Sequence, residues 1–394
     1  MKKFWSFSFY FLYFASLSGL VPFLVLFYQG LGFSGAEIGL LTGIPPLITL
    51  VASPFWNGLA DARRMHKFVM GLGILAVVLI MLLLPSLHSF AVVFLMIVLF
   101  NNFLGPVSSL ADSSTMSMLG EEREMYGRVR LGGTFGWGIL APIAGVLVQN
   151  YGLQMAFWSF CVLMTINFFV SQRLSHGSPE AGASSGGSVR FFLTNRRWIN
   201  FLFLSFLGGI GTYSVSSYLF PYMAELGANE STMGIALTIA TLTELPIFFF
   251  GNWLVRKLGA YSLLILSLVL FGIRSLLYAL VSTPFMVLLV QILGGTIYPI
   301  LWVAGVSYAD ENAPAGSKAS AQGLFGAVTF GFGSAIGGFA GGLLLKSIGG
   351  RGMFLVMGVV ILLGLVAADG IRRFFPDKTE LPQAATLTGN HLES

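Results

Sequence analysis

A five-residue stretch that occurs twice indicates how this chain is built. The sequence TFGWG at residues 134–138 returns 195 positions later as TFGFG at residues 329–333. An Ala-Asp pair precedes each copy, with the acids at Asp112 and Asp310. Nearly all of the surrounding sequence is apolar. Two membrane halves with the same orientation are the architecture of one large class of secondary transporter, so the repeat predicts a duplicated membrane protein of that class.

The composition requires lipid as the solvent. Hydrophobic residues make up 56% of the chain and charged residues 9%, against about 25% charged residues in an average soluble domain. Apolar runs long enough to span a bilayer, which takes about 20 helical residues, lie at 4–28, 36–60, 68–86, 89–117, 128–150, 153–174, 198–224, 230–254, 259–281, 284–309, 317–347 and 351–373. We therefore expect an all-α membrane protein with twelve transmembrane helices in two pseudo-symmetric six-helix bundles.

The basic residues predict the orientation of these spans. Short loops that are rich in Lys and Arg stay in the cytoplasm, and such loops follow the even-numbered spans, whereas only Lys346 and Arg351 fall in a connection on the opposite side. Both termini are therefore predicted to be cytoplasmic, in a bacterial inner membrane. The net charge of +5 follows from this rule and does not indicate a nucleic-acid partner.

The chain divides into four predicted regions. An N-terminal bundle covers 1–174, a cytoplasmic linker 175–197, a C-terminal bundle 198–375 and a disordered tail 376–394. The linker contains a run rich in Gly and Ser, which is typical of a flexible tether. No cleavable signal peptide is expected, because the first apolar run is long and lacks a small-residue cleavage site. We expect the protein to be a monomer.

The loop between the second and third spans carries a family signature. Its sequence GLADARRMHK, from Gly58 to Lys67, resembles the G-x-x-x-D-x-x-x-R-[KR] loop of the major facilitator superfamily. Asp61 and Arg64 are the candidate residues of a cytoplasmic latch, because an acid at a helix end near cations can hold two helices in one state. The alternative is that the basic residues only obey the positive-inside rule. The resemblance implies the major facilitator fold.

Within that superfamily the chain is similar to the branch of the 3-phenylpropionate transporters, lactose permease and the nucleoside–proton symporters. The similarity lies in YGRVRLG at 126–132, ELP at 244–246, Arg274 and QIL at 291–293. It implies proton-coupled symport. One stretch departs from the pattern, because ILWVA at 300–304 stands where related symporters carry a titratable residue, often His.

Few charges lie inside the predicted spans. A charge at the bilayer centre costs at least about 2.5–3.5 kcal/mol, so each one is a functional hypothesis. We predict that Glu244 and Arg274 communicate, directly or through solute or water, and couple protons to transport; a permanent pair that only fixes helix packing is the alternative. Asp112 is also a coupling candidate. With Arg128 and Arg130 it suits a cytoplasmic gate, although all three could instead be solvated charges at loop ends.

Polar side chains concentrate on the spans that line the central cavity in this superfamily, the first, fourth, seventh and tenth. Lipid does not satisfy amides and hydroxyls, so these groups face protein or water. The candidates for the solute cavity are Tyr10, Tyr13, Asn101, Asn102, Tyr213, Ser217, Gln291, Tyr298 and Trp302. Each could also serve as a contact between helices.

The function expected from these features is secondary active transport. We expect proton-coupled symport of a small organic solute, such as an aromatic acid, a nucleoside or a sugar; the alternative is proton-coupled export of drugs or lipid-like amphiphiles. The predicted partners are that solute, protons and the lipid bilayer. The histidines lie in loops or the tail and show no metal or nucleophile spacing, so we expect neither an enzyme nor a bound metal or cofactor.

Overall fold

The structure is a computed structural model that describes residues 2–175, 189–314 and 316–374. The predicted tail at 376–394 and residues 176–188 of the predicted linker lie outside the described residues. The helices of the first half are α1 (Lys2–Leu20), α2 (Leu24–Gly30), α3 (Gly35–Arg63), α4 (His66–Leu83), α5 (Phe90–Leu119), α6 (Tyr126–Tyr151) and α7 (Gln154–Ser171).

A short helix α8 (Val189–Thr194) lies in the predicted linker, ahead of the second half. The remaining helices are α9 (Arg196–Glu225), α10 (Glu230–Leu258), α11 (Ala260–Leu280), α12 (Pro284–Asn312), α13 (Lys318–Gly326) and α14 (Ser334–Phe374). A stretch of π-helix, Ala327–Gly333, joins α13 to α14 and is called the π segment below. The described residues contain no β-strand, which confirms the predicted all-α class.

Ten helical stretches of the described chain are long and apolar enough to cross a membrane. Two of them, Phe90–Tyr151 with 62 residues and Lys318–Gly370 with 53, exceed what one crossing needs, because about 20 residues suffice. The first is broken at Gly120 (φ 55°) and the second at Gly349 (φ 71°), and both glycines adopt a conformation that residues with a side chain rarely take. Dividing both stretches at these glycines gives twelve segments, the predicted number.

Local sequence signals fix where several helices begin. Ser34 and Glu37 form a capping box at the start of α3, in which the Ser34 hydroxyl accepts from the Glu37 N–H and the Glu37 carboxylate accepts from the Ser34 N–H. Asn195 and Asn229 cap α9 and α10 with their side-chain oxygens. These caps satisfy N–H groups that have no partner within the helix.

The two halves repeat the same helix pairings. In the first half α1 packs on α6, α3 on α5 and α4 on α7; in the second half α9 packs on α14, α10 on α12 and α11 on α14. Counted by span, these pairs are the first with the fifth, the second with the fourth and the third with the sixth. The duplication seen in the sequence is therefore also a duplication of packing.

The halves meet along two seams, α3 with α14 and α6 with α10. Small residues allow close approach there: a side chain on Gly39 would collide with the backbone of Phe339, and one on Gly145 with the backbone of Glu230. Such residues permit tight helix contacts in membranes. These contacts lie on the side of the bundle away from the chain termini.

A polar contact reinforces the α3–α14 seam on that side. The hydroxyls of Thr42 and Tyr218 lie 2.6 Å apart, and both donate to the carbonyl of Gly338. By contrast α13, the terminus-side part of the same span, packs on α12 and has no substantial interface with the described helices of the first half. The halves are therefore closed on the side away from the termini and separated on the side of the termini.

Candidate functional site

The first half contributes a carboxylate held by two tyrosines. Asp112 on α5 accepts hydrogen bonds from the hydroxyl of Tyr10 on α1 at 2.6 Å and from that of Tyr126 on α6 at 3.0 Å. Tyr10 is fully buried. Because ionised acceptors make the stronger hydrogen bonds, Asp112 ties three helices of this half together. The predicted gate placed arginines on this acid, whereas tyrosine hydroxyls bind it here.

Arg130, one of those predicted gate residues, lies on aromatic rings beside this network. Its guanidinium carbon is 4.2 Å from the ring centroid of Phe14 and 4.9 Å from that of Tyr10. Within the described residues Arg130 forms no ion pair. Arg128 points elsewhere, is exposed and lies 3.6 Å from the sulfur of Met125. Arg130 is therefore a cation held by ring faces, with its charge available to another partner.

The second half contributes Glu244 on α10. Its side chain is half-buried, and it makes no hydrogen bond or ion pair with any described residue. Tyr298 on α12 lies within Coulomb range of both Glu244 and Arg130. One acid and one cation, from different halves, therefore lie close enough to the same tyrosine to interact with it electrostatically.

Aromatic rings cluster around Tyr298 and Phe330 on the second half. Trp302 is 40% exposed, and its ring centroid lies 5.4 Å from that of Phe330 in the π segment. Tyr298 lies 6.3 Å from Phe330, and Phe325 lies 6.2 Å from it. Centroid separations in this range are those of interacting aromatic pairs. Phe325 is fully buried behind the other rings, so we call Tyr298, Trp302 and Phe330 the aromatic wall.

Arg274 is buried inside the second bundle. It donates to the Gln291 side-chain oxygen at 2.6 Å and to the Tyr278 hydroxyl at 3.1 Å, and it is 7% exposed. Gly294 leaves room for its guanidinium. Neither Arg274 nor Gln291 is in polar contact with Glu244 within the described chain. Communication between Glu244 and Arg274 stays a prediction, and the contacts of Arg274 are those of a packing residue.

The other predicted cavity residues are distributed over both halves. Tyr13 is buried and stacks on Phe9 with ring centroids 6.0 Å apart. The Asn101 amide donates to the Ile97 carbonyl at 2.8 Å, within its own helix. The remaining three, Asn102, Tyr213 and Ser217, are all half-buried.

The predicted latch residues lie at the turn between α3 and α4. Asp61 pairs with His66, whose Nε2 lies 2.6 Å from the carboxylate. Arg64 is exposed and caps α3 in the left-handed conformation, at φ 53°. The acid of the loop signature is therefore paired with the histidine of the same loop.

Three residues of the site were not predicted: Tyr126, Phe14 and Phe330. Phe14 could have been found, because it lies four positions after Tyr10 and so shares a helix face with it. Phe330 belongs to the repeated stretch, but a regular helix would not single it out from Phe332. Tyr126 was quoted only as part of the family signature.

Comparison with known proteins places this geometry in a family. A family model described as the MFS_1 like family matches residues 4–356. The chain belongs to this family. It is 26% identical over 371 residues to the maltose permease of Geobacillus stearothermophilus, covering 92% of this chain and 94% of that protein. It is also 26% identical over 382 residues to the multidrug resistance protein MdtG of Salmonella schwarzengrund, covering 91% and 92%.

The fold of this family is also seen in solved structures. The crystal structure of a point mutant of the nucleoside transporter NupG superposes with a TM-score of 0.83 at 18% identity and covers 94% of this chain and 100% of that chain. The expected major facilitator architecture is therefore confirmed. The chain is a membrane transporter of the major facilitator type and not an enzyme.

Proposed function

We propose that this transporter is a proton-coupled symporter of a small organic solute and works by alternating access. The observation that supports this most directly is the placement of Glu244 and Arg130 on opposite halves, both within Coulomb range of Tyr298. Neither charge has an ion-pair partner among the described residues. A solute or a proton that enters this space therefore meets both groups.

Proton coupling follows from the cost of burying Glu244 as an anion. When the halves close around the cavity, water leaves, and an unpaired carboxylate in a water-poor site is costly. Closure is easier when Glu244 carries a proton or when a cation approaches it. Requiring the proton for the step between the two open states would tie proton movement to solute movement.

The lining of the cavity favours a solute with a ring and polar substituents. The aromatic wall offers ring faces for stacking, while Arg130 and the tyrosine hydroxyls offer hydrogen-bond donors. An aromatic acid, a nucleoside or a sugar meets these requirements. A maltose permease and a nucleoside transporter among the similar proteins agree with solutes of this size.

The orientation proposed for the chain sets the direction of the cavity. Lys and Arg in the connections after even-numbered spans support the proposal that both termini lie in the cytoplasm of a bacterial cell. The separated side of the bundle, which is the side of the termini, then faces the cytoplasm. We further propose that the transporter works as a monomer in the inner membrane, since one chain holds both halves of the cavity.

The test measures proton movement that depends on the solute. Purified protein in lipid vesicles with an external pH dye is given benzoate, uridine or maltose. We expect external alkalinisation with one solute class, its loss in Glu244→Gln, and retention of downhill solute exchange in that variant. Glu230→Gln, on the same helix at its first turn, is the matched control. Unchanged accumulation by Glu244→Gln would contradict coupling through this residue.

Export of drugs or lipid-like amphiphiles is the second candidate. The similarity to the multidrug resistance protein MdtG over nearly the whole chain favours it. In the same vesicles an exporter would give saturable efflux of a hydrophobic dye and no response to the three solutes. Glu244→Gln would then abolish dye efflux driven by a pH gradient.

A further inference from the structure

The two copies of the repeated stretch are wound differently. The copy at 134–138 lies within the α-helix α6, whereas the copy at 329–333 lies in the π segment, Ala327–Gly333. A π turn closes i→i+5 hydrogen bonds and so holds one residue more than an α turn. Short π-helical stretches inside helices occur frequently at functional sites.

The extra residue exchanges the roles of the two glycines in the motif. In the first copy Gly136 packs against α1 of its own half, and Gly138 packs against α10 of the other half. In the second copy Gly331 meets α3 of the other half, and Gly333 packs against α9 of its own half. The motif is thus turned about the helix axis between the copies.

The aromatic residues of the motif exchange roles in the same way. In the first copy Phe135 is 44% exposed, and Trp137 is partly buried. In the second copy Phe330 is partly buried in the aromatic wall, and Phe332 is 54% exposed. Two independent pairs of residues therefore report the same rotation.

The rotation has a cause in the packing against α9. The residues that face α9 recur every fourth position: Phe325, Thr329, Gly333, Gly337 and Gly341. In an α-helix each step of four residues turns the face by about 40°, so four steps would turn it by about 160°. One additional residue in the π segment reduces this rotation by about 100°, so the same face stays against α9.

The π segment also leaves a polar group without a partner. The Thr329 hydroxyl is buried and forms no hydrogen bond within the described part of the chain, while the Thr329 carbonyl accepts from the Ser334 hydroxyl at 3.3 Å. An unsatisfied buried group is unfavourable. The winding that keeps this face on α9 therefore leaves one buried hydroxyl unsatisfied.

We propose that the π segment makes Phe330 a solute-contacting, specificity-determining residue and leaves Phe332 facing lipid. The Phe330 ring lies within 5.4 Å of Trp302, centroid to centroid, and completes a wall that accepts a planar aromatic or heteroaromatic ring by stacking. The solute contact rests on the function proposed above. The orientation of the Phe330 and Phe332 rings is independent of that function.

Thiol labelling tests the orientation without any transport measurement. Cys161 is the single cysteine of the chain, so Cys161→Ser provides a background for Phe330→Cys and Phe332→Cys. The protein in lipid nanodiscs is treated with a charged maleimide. We expect Phe330→Cys to react at least about tenfold faster, since a thiol in apolar surroundings is unreactive. Equal rates, or faster reaction of Phe332→Cys, would overturn the proposal.

Deletion of Val328 tests whether the π segment causes the different orientations of Phe330 and Phe332. Removing one residue allows an α-helix through the segment, so the two cysteines should exchange labelling rates. If the deleted protein does not fold, the comparison in the full-length background still decides the orientation. An unchanged ratio of rates in a folded deletion variant would overturn the role of the π segment.

Solute recognition is tested with the vesicle assay. Phe330→Leu should raise the KM for benzoate or uridine by about fivefold to tenfold, the range expected for a lost ring contact, with Phe332→Leu unchanged. Equal effects of both variants would overturn the solute contact, as would an effect of Phe330→Leu on maltose alone. If the wild type gave no alkalinisation with any of the three solutes, the symport function would be refuted, but the labelling result would be unaffected.

Discussion

Asp112 and Asp310 occupy the same place in the two halves, yet their surroundings differ. Asp112 accepts hydrogen bonds from two tyrosine hydroxyls at a junction of three helices. Asp310, near the end of α12, has a side chain that is 44% exposed and pairs with Lys318, whose ammonium lies 2.8 Å from its carboxylate. Both acids are half-buried, but the first binds a fully buried tyrosine, whereas the second binds an exposed lysine.

This difference shows that the two halves share a helix arrangement but carry different functional side chains. The helix pairings repeat in both halves, but Arg130 belongs to the first half and Glu244 to the second, and neither has an ion-pair partner among the described residues. A closing cavity brings groups from both halves together. Because Arg130 and Glu244 belong to different halves, the distance between them changes when the halves move relative to each other.

Removing the two acids should have unequal effects on stability, and this gives the largest expected difference. In Asp112→Ala the buried hydroxyl of Tyr10 loses its acceptor, at a cost of about 1–3 kcal/mol. Asp310→Ala removes an exposed pair worth about 0–1 kcal/mol. Thermal unfolding of both variants in the same detergent measures the difference. Equal losses would mean that the halves use these acids in the same way.

Arg130 should be sensitive to the shape of its cation as well as to its charge. Arg130→Lys keeps the charge but loses the planar group that lies on Phe14 and Tyr10. We expect the apparent affinity for the transported solute to fall about tenfold, equivalent to about 1.4 kcal/mol. Arg128→Lys, at an exposed position two residues away, is the control. An equal loss in both variants would assign the effect to helix α6 as a whole.

Most of the architecture could be predicted from the sequence because membrane spans have a strong signal. Lipid requires long apolar helices, so the number of spans and the duplication followed from apolar runs and the repeated motif. The predicted break between the eleventh and twelfth spans falls at Gly349, where the backbone has a positive φ. Helix caps such as Ser34 with Glu37 were likewise visible as a local pattern.

The details of the site were less predictable because they depend on how helices are turned. The spans that carry Asp112, Glu244 and Tyr298 could be read from the apolar runs, whereas the partners of these side chains depend on helix rotations that a sequence does not record. Arg274 was predicted to communicate with Glu244, directly or through solute or water; the described hydrogen bonds of Arg274 go to Gln291 and Tyr278. Phe330 differs from Phe332 only through the π segment, which has no recognised sequence signal.

The smallest expected loss of stability comes from breaking the ion pair of Asp310 with Lys318. Its dependence on salt concentration distinguishes this pair from the hydrogen bonds of Asp112. Lys318→Met should lower stability by at most about 1 kcal/mol, and the loss should vanish at 1 M salt, where the Debye length is about 3 Å. The loss in Asp112→Ala should persist, because buried hydrogen bonds are screened little. Thermal unfolding at low and high salt compares the two. A salt-independent loss in Lys318→Met would make this pair part of the protein interior and restore the equivalence of the two halves.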